Sequence, residues 1–354
     1  MVQERIAPVS AEPLVTVKVA PFNAESPIAR LADDVTPTPN FYVRSNFKLP
    51  RLDAATHRVA VEGAVENRLS LGLDDLKALG VVEVTTTMEC AGNNRMALLP
   101  LPQGEPWLGG AVSTGRWRGV PLNAVLARAG VKPGTIEILV EGADRGKPSD
   151  GPPDIPFARS LPLDKAVHPD TILAFELNGG PLPPDHGFPL RLVVPRWYGM
   201  AGVKWVSRIE ALTEPFAGYY QRSRYIFDYG DGQPPAPVTT MRVKSTIASP
   251  LDGEIVPVGP LKIRGRAWSG AGHIVKVEVA IDGGDTWQEA TVYPPVSEYA
   301  WQAWEWTWDA SGPGRHAIRS RATDAAGNVQ PDVARWNKYG YGANGVNPIT
   351  VNVG

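Results

Sequence analysis

Cys90 is the single cysteine of the chain, and it lies in Met88-Glu89-Cys90-Ala91-Gly92-Asn93-Asn94-Arg95. A lone thiol cannot close an internal disulfide, and one cysteine is too few for a Cys-rich zinc site. Two fates remain, an inert core residue or a reactive ligand. Burial in the core is the ordinary outcome for an isolated cysteine. The neighbours here favour the ligand. Thr85-Thr86-Thr87-Met88 reads as the end of a strand, and Ala91-Gly92-Asn93-Asn94 as a tight turn, because Gly and Asn tolerate positive φ. Arg95 then brings a cation near the sulfur, a setting that favours the thiolate, the form that binds metals.

The elements that must hold this turn can be read from pattern. Val59–Gly63 is strand-like, and Leu73–Leu79 reads as a helix with Asp74 and Asp75 in its first turn, where the helix dipole favours acids. Val81–Met88 is the strand that leads into Cys90. Leu122–Ala129 reads as a helix stopped by Gly130. Ile136–Val140 is a short apolar strand, and Glu141–Gly146 reads as a loop after it. Strands are expected at Ile172–Leu177, before the turn Asn178-Gly179-Gly180, and at Leu190–Val194. Strands mixed with short helices predict an α+β domain. Asp228–Pro237 is rich in Gly, Pro and Asp and reads as a linker. Beyond it the pattern alternates strictly, in Leu261–Trp268, Val275–Ile281 before Asp282-Gly283-Gly284, Trp304–Trp308 and His316–Ala322. That is the signature of an all-β, immunoglobulin-like sandwich. The division is an irregular arm over 1–37, packed on the surface, a first domain over 38–232 and the sandwich over 238–354.

Composition narrows the classes. At 354 residues the chain can hold about two domains. A net charge of −2 with interspersed signs gives no reason to invoke nucleic acid. No run approaches ~18 consecutive apolar residues, so no membrane helix is expected. The N-terminus lacks a basic region followed by an apolar stretch, so the sequence as given reads as cytoplasmic. A periplasmic location stays open if a longer precursor lost its leader. Gly (36) and Pro (35) are both abundant, which fits a loop-rich β or α+β protein.

Several segments, in order and spacing, resemble the sulfite oxidase family of molybdenum enzymes. Cys90-Ala91-Gly92-Asn93 with Arg95 matches the family signature, a Cys-Ala-Gly-Asn core with an arginine five residues after the cysteine. Phe41-Tyr42-Val43-Arg44 is similar to the family's cofactor-and-substrate strand. Trp107 and Gly110–Trp117, Asn178–Pro183, Asp185–Arg191 and Gly202-Val203-Lys204-Trp205 follow suit. In the second domain Ala267–Gly270, Asp282–Gly284 and Asn328–Asp332 continue the likeness, which spans roughly residues 38–340. The resemblance implies a molybdenum ion bound by the Cys90 thiolate and otherwise held by a pterin dithiolene; soft sulfur suits such a metal. It implies cofactor contacts at Tyr42, Val43, Arg44, Asn46, Asp144, His186, Arg191, Gly202, Val203 and Lys204. Arg and Lys suit the pterin phosphate, as a fork and a point charge. Arg44 and Arg95 match arginines that face the substrate, and Tyr225 falls where the family places its active-site tyrosine. The implied reaction is oxidation of sulfite to sulfate in a homodimer. The chain has no Cys-x-x-Cys-His motif and five histidines, so no haem is expected in it, and the electrons would pass to an external acceptor such as a c-type cytochrome.

Two departures stand out. Arg44 is followed by Ser45-Asn46 where the family usually continues Asn-His, so Asn46 can hydrogen-bond but carries no charge. After Trp336-Asn337 the chain has Lys338-Tyr339, which puts Tyr339 where many members carry another substrate-facing arginine. Other readings therefore stay open: reduction of nitrate or an S-oxide at the same cofactor, an immunoglobulin-like structural protein with an inactive first domain, and a cysteine hydrolase, for which no histidine motif accompanies Cys90. No GxGxxG or Walker pattern is present. Trp301, Trp304, Trp306 and Trp308 are expected to be strand packing or interface.

Overall fold

The computed structural model describes residues 13–283 and 286–354; the first twelve residues of the expected arm, and Gly284 of the Asp282-Gly283-Gly284 turn, lie outside them. The first domain is built on two five-stranded sheets. One carries Val82–Glu89, Val112–Pro121, Ile172–Leu177 and the short Gly180–Pro181 in that order, with Arg191–Val193 also pairing to Ile172–Leu177. The other runs Leu69–Leu71, Val59–Gly63, Val206–Leu212, Glu137–Gly146, Ile155–Pro162, and its single parallel pair joins Val59–Gly63 to Val206–Leu212. The helix Leu122–Ala129 buries Leu122, Val125, Leu126 and Ala129 on one face, and Gly130 ends it with φ 69°. A left-handed residue at that position is what glycine supplies without steric cost. The helix after Leu71 spans Leu73–Lys77, close to the expected one.

Two expectations change. Glu141–Gly146 is not a loop: it belongs to the ten-residue strand Glu137–Gly146, with an irregular register between Glu141 and Arg145. A bulge re-aims side chains without ending a strand, and this one serves Asp144. The arm, from residue 13 onward, is more ordered and more buried than a surface segment. Val15–Lys18 and Asn23–Glu25 form a hairpin, and Asn23, Ala24, Glu25, Ser26 and Leu31 are buried. Its cohesion comes from partners far along the chain. Ala24 and Val43 exchange backbone hydrogen bonds, and Glu25 Oε1 accepts from the amides of Leu108, Gly109 and Gly110.

The second domain packs two antiparallel-rich sheets face to face. Lys244–Ser249, Gly259–Trp268, Gln302–Ala310 and Thr291–Val292 form one; Ile255–Val256, Ile349–Val353, Gly314–Asp324, Ile274–Ile281 and Gln288–Glu289 form the other. Trp301 and Trp304 are fully buried, and Trp306 and Trp308 pack partly buried against the core of the sandwich. The segment expected as a linker is pinned, because Ile226–Phe227 pairs with Ala236–Pro237. No helix among the described residues is long and apolar enough to cross a membrane.

Candidate active site

The strand Val82–Glu89 ends at Cys90, whose amide donates to the Ala111 carbonyl, 2.8 Å. Asn93 and Arg95 amides then fold back onto the carbonyls of Cys90 and Gly92. Asn94 alone in the turn takes a left-handed conformation, φ 61°. Gly92 is needed for space rather than for φ: a Cβ there would collide with the Arg95 guanidinium, as one at Gly104 would. Asn93 locks the turn by donating to Glu89 Oε1 (3.0 Å) and accepting from the Ala111 amide (3.1 Å). Cys90 is 7% exposed. Burial pushes its thiol pKa up, and Arg44 and Arg95 pull down by less. The thiolate expected from Arg95 alone is thus outweighed by desolvation, and a metal that binds the sulfur must displace a proton.

Tyr42, Arg44, Asn46, Cys90, Asp144, His186, Arg191, Gly202, Lys204 and Tyr225 line one cleft. Val43 and Val203 are buried with their side chains outside it, and their backbones hydrogen-bond within the fold. Arg44 donates to Asn46 Oδ1 (2.8 Å) and to the Ser45 carbonyl, and Asn46 reaches the Tyr225 hydroxyl at 3.5 Å. Arg191 donates to the carbonyls of His186 (3.1 Å) and Gly202 (3.3 Å) and to Met88 Sδ, and lies 4.7 Å over the Trp117 ring. Lys204 Nζ donates to Ser45 Oγ (2.9 Å) and the Asp185 carbonyl (2.7 Å). Burial and then Arg191 lower the Lys204 pKa; burial raises that of Asp144 against the pull of Lys204. Burial, with Arg191 and Lys204 nearby, holds His186 neutral, well below its ordinary 6.5.

Arg95 closes the other side. It donates through Nε to the Tyr339 carbonyl (2.8 Å) and through Nη1 to the Glu105 carbonyl (2.5 Å), and lies 5.5 Å from the Tyr341 ring. With Arg44, Cys90 and Tyr225 it lines a second, more open cleft that continues the first. Tyr225 has φ 52°, an uncommon left-handed value for an aromatic residue, and stacks on Tyr341 with centroids 5.2 Å apart. Pattern reading left Tyr341 and Arg224 without a role, although both line this cleft. A signal was present in Tyr339-Gly340-Tyr341-Gly342, where Gly340 (φ 60°) and Gly342 (φ 62°) bend the chain back to the site.

The residues present fit a molybdopterin. The Arg191 Nε is buried and has no hydrogen-bond partner, and three cations face a cleft whose acids are Asp144 and Asp185. Buried positive charge in excess is costly unless an anion joins it. Gly199 and Gly202 keep the wall flat: a Cβ at the first would collide with the Tyr42 hydroxyl, and one at the second would lie 3.0 Å from the Leu192 carbonyl. The donor set therefore matches a phosphate-bearing polar ring system beside a single sulfur ligand.

Residues 46–220 match the oxidoreductase molybdopterin binding domain, and residues 236–353 the Mo-co oxidoreductase dimerisation domain. Mitochondrial sulfite oxidase of Mus musculus is 37% identical over 94% of this chain, which spans 64% of that relative's length. Sulfite oxidase of Gallus gallus is 36% identical over 90% of the chain and 74% of its own length. An NADH nitrate reductase of Solanum lycopersicum is 33% identical, with 90% of this chain and 39% of that one covered. Among solved structures, the sulfane dehydrogenase SoxCD of Paracoccus pantotrophus superposes with a TM-score of 0.82 at 30% identity, covering 99% of this chain and 90% of that one. By sequence, architecture and site composition together, the chain belongs to the sulfite oxidase family of molybdopterin oxidoreductases.

Proposed function

We propose that the protein oxidises sulfite and water to sulfate, two protons and two electrons, and hands the electrons to an external acceptor such as a c-type cytochrome. The observation that carries this reading is the buried Cys90 sulfur set between two arginines at the junction of a cation-rich cleft and an open one. His186, Arg191, Lys204 and Arg44 would hold the pterin and its phosphate, Asp144 the ring nitrogens, and Cys90 the metal. When bound, the cofactor supplies the transferable oxygen and takes up the two electrons. Arg44 and Arg95 offset the charge of an anionic substrate and orient it. Tyr225, already within reach of Asn46, offers a hydroxyl to the reacting oxygen, and its ring is held by stacking on Tyr341. A haem-free chain and a homodimer built through the second domain complete the proposal.

Tyr339 in place of an arginine favours a second reading, in which the same cofactor acts on nitrate or an S-oxide. Sulfite-dependent ferricyanide reduction by protein of confirmed molybdenum content separates the two. Rapid turnover with sulfite supports the proposal. No turnover at full metal content, with reoxidation of the reduced protein by nitrate or a sulfoxide, favours the second reading.

A further inference from the structure

Two cations lie near enough to be weighed as replacements for the charge lost at Tyr339. Lys338, the immediate neighbour, is badly placed. Its side chain is 53% exposed, its Nζ lies 3.9 Å from Asp228, and it does not line either cleft. Arg224 is placed otherwise. It lines the open cleft with Cys90, Arg44, Arg95, Tyr225 and Tyr341, and its side chain is 16% exposed. Its guanidinium covers the Tyr339 ring at 4.5 Å. Tyr339 thereby gathers two arginines, Arg224 on its ring and Arg95 on its carbonyl. Tyr341 is within electrostatic reach of Arg95, Arg224 and Arg44, so the three cations share one region.

We infer that Arg224 is the specificity-determining cation of the cleft, supplying from the segment before Tyr225 the positive charge that an arginine at position 339 would otherwise bring. This rests on the reading of the site as one for a small oxyanion. Arg224 is pre-set for the task. Nε donates to the Tyr219 hydroxyl (3.1 Å) and Nη2 to Asp150 Oδ1 (2.7 Å), which fixes the plane of the fork, while among the described residues Nη1 has no hydrogen-bond acceptor. Asp150, about half exposed, is an internal anion on that cation. A substrate anion competes with it. Arg224 therefore acts on capture and orientation rather than on the oxygen transfer itself, and its effect belongs in KM and in the salt dependence of kcat/KM.

The test compares the molybdenum-loaded wild type with Arg224→Gln, Arg224→Lys, Asp150→Asn and Lys338→Ala, with ferricyanide as acceptor. Arg224→Gln is expected to raise KM for sulfite by about tenfold or more while kcat stays within about twofold, and to flatten the fall of kcat/KM with ionic strength. Arg224→Lys restores most of the loss, Asp150→Asn lowers KM below the wild type, and Lys338→Ala leaves it unchanged. A KM for Arg224→Gln within about twofold of wild type, or a Lys338→Ala variant that reproduces the loss, overturns the inference. If Arg224→Gln fails to fold, the other two variants decide it: a KM lowered in Asp150→Asn and unchanged in Lys338→Ala supports the inference, and an unchanged KM in Asp150→Asn overturns it. If the wild type does not turn over sulfite at all, the sulfite reading fails by itself. Arg224 is then judged by calorimetric binding of sulfate to the loaded protein: weaker binding in Arg224→Gln supports its role, and equal binding overturns it.

Discussion

Two clusters of buried charge flank Cys90, and they are built in opposite ways. On the side of the second domain, Glu89 and Lys244 form an ion pair at 3.0 Å with side chains 3% and 2% exposed. Every strong acceptor there is used. Glu89 takes hydrogen bonds from Lys244, Asn93 and the Trp268 indole, and Lys244 also donates to the Ala343 carbonyl. On the other side, Arg44, Arg191 and Lys204 donate to carbonyls, hydroxyls, amides and a thioether, and among the described residues none of the three is in an ion pair. The first cluster is neutral and closed, which makes it a clasp between the domains at the base of the cysteine turn. The second carries an excess of positive charge in a cleft, which is the arrangement an anion would complete. Residues of the same type thus do different work according to whether the fold supplies their counter-charge.

Breaking the closed cluster should have the largest effect. Lys244→Met leaves Glu89 buried without its cation and is expected to cost about 3–5 kcal/mol of stability, read by chemical denaturation. The double change Glu89→Gln with Lys244→Met should recover much of that loss, because no charge is left stranded. The open cluster should respond with the reverse sign. Arg191→Gln removes a cation that the fold itself does not neutralise, so the cofactor-free protein should be no less stable in a melting experiment. Its cofactor retention should fall, since a charge-assisted hydrogen bond contributes about 1.5–3 kcal/mol. Equal destabilisation of the two clusters by charge removal would erase the contrast.

A pH experiment sharpens it further. His186 is held well below 6.5 by burial and by the cations Arg191 and Lys204. Below pH ~6.5 the unfolded chain takes up a proton that the folded protein refuses, so the unfolded state binds more protons and stability falls with pH. The stability is complete above that pH and is lost as pH drops through it towards the folded pKa, at most about 1.4 kcal/mol per pH unit. Denaturation midpoints between pH 7 and 5 should show this slope in wild type and a flatter one in His186→Gln. The smallest effect is expected at Lys338, whose exposed side chain makes no short ion pair: Lys338→Ala should change stability by less than about 0.5 kcal/mol.

The contrast also explains what could be read from the sequence. The Cys90 turn, the helix Leu122–Ala129 with Gly130 at its end, and the alternating strands of the sandwich are local in origin, written in spacing and in turn residues. Glu141–Gly146 reads as a loop in the sequence because Gly142 and Gly146 look like turn signals. Gly142 instead serves a bulged strand, where a Cβ would lie 2.5 Å from Asp144 Oδ1 and 2.6 Å from the Lys204 carbonyl. The order of the arm from residue 13 onward is not legible locally because its partners, Val43 and the amides of 108–110, lie far along the chain. The clasp of Glu89 with Lys244, 155 residues apart, and the packing of Arg224 on Tyr339 are decided by tertiary contact alone. No periodicity or spacing announces which cation meets which ring.

The central claim is that Cys90 holds the metal in the cation-rich cleft, and X-ray absorption at the molybdenum edge tests it most directly. Wild type and Cys90→Ser, each with confirmed metal content, are compared. The account predicts a sulfur shell that loses one scatterer in Cys90→Ser, together with loss of sulfite-dependent turnover. An unchanged sulfur shell in the variant would contradict it.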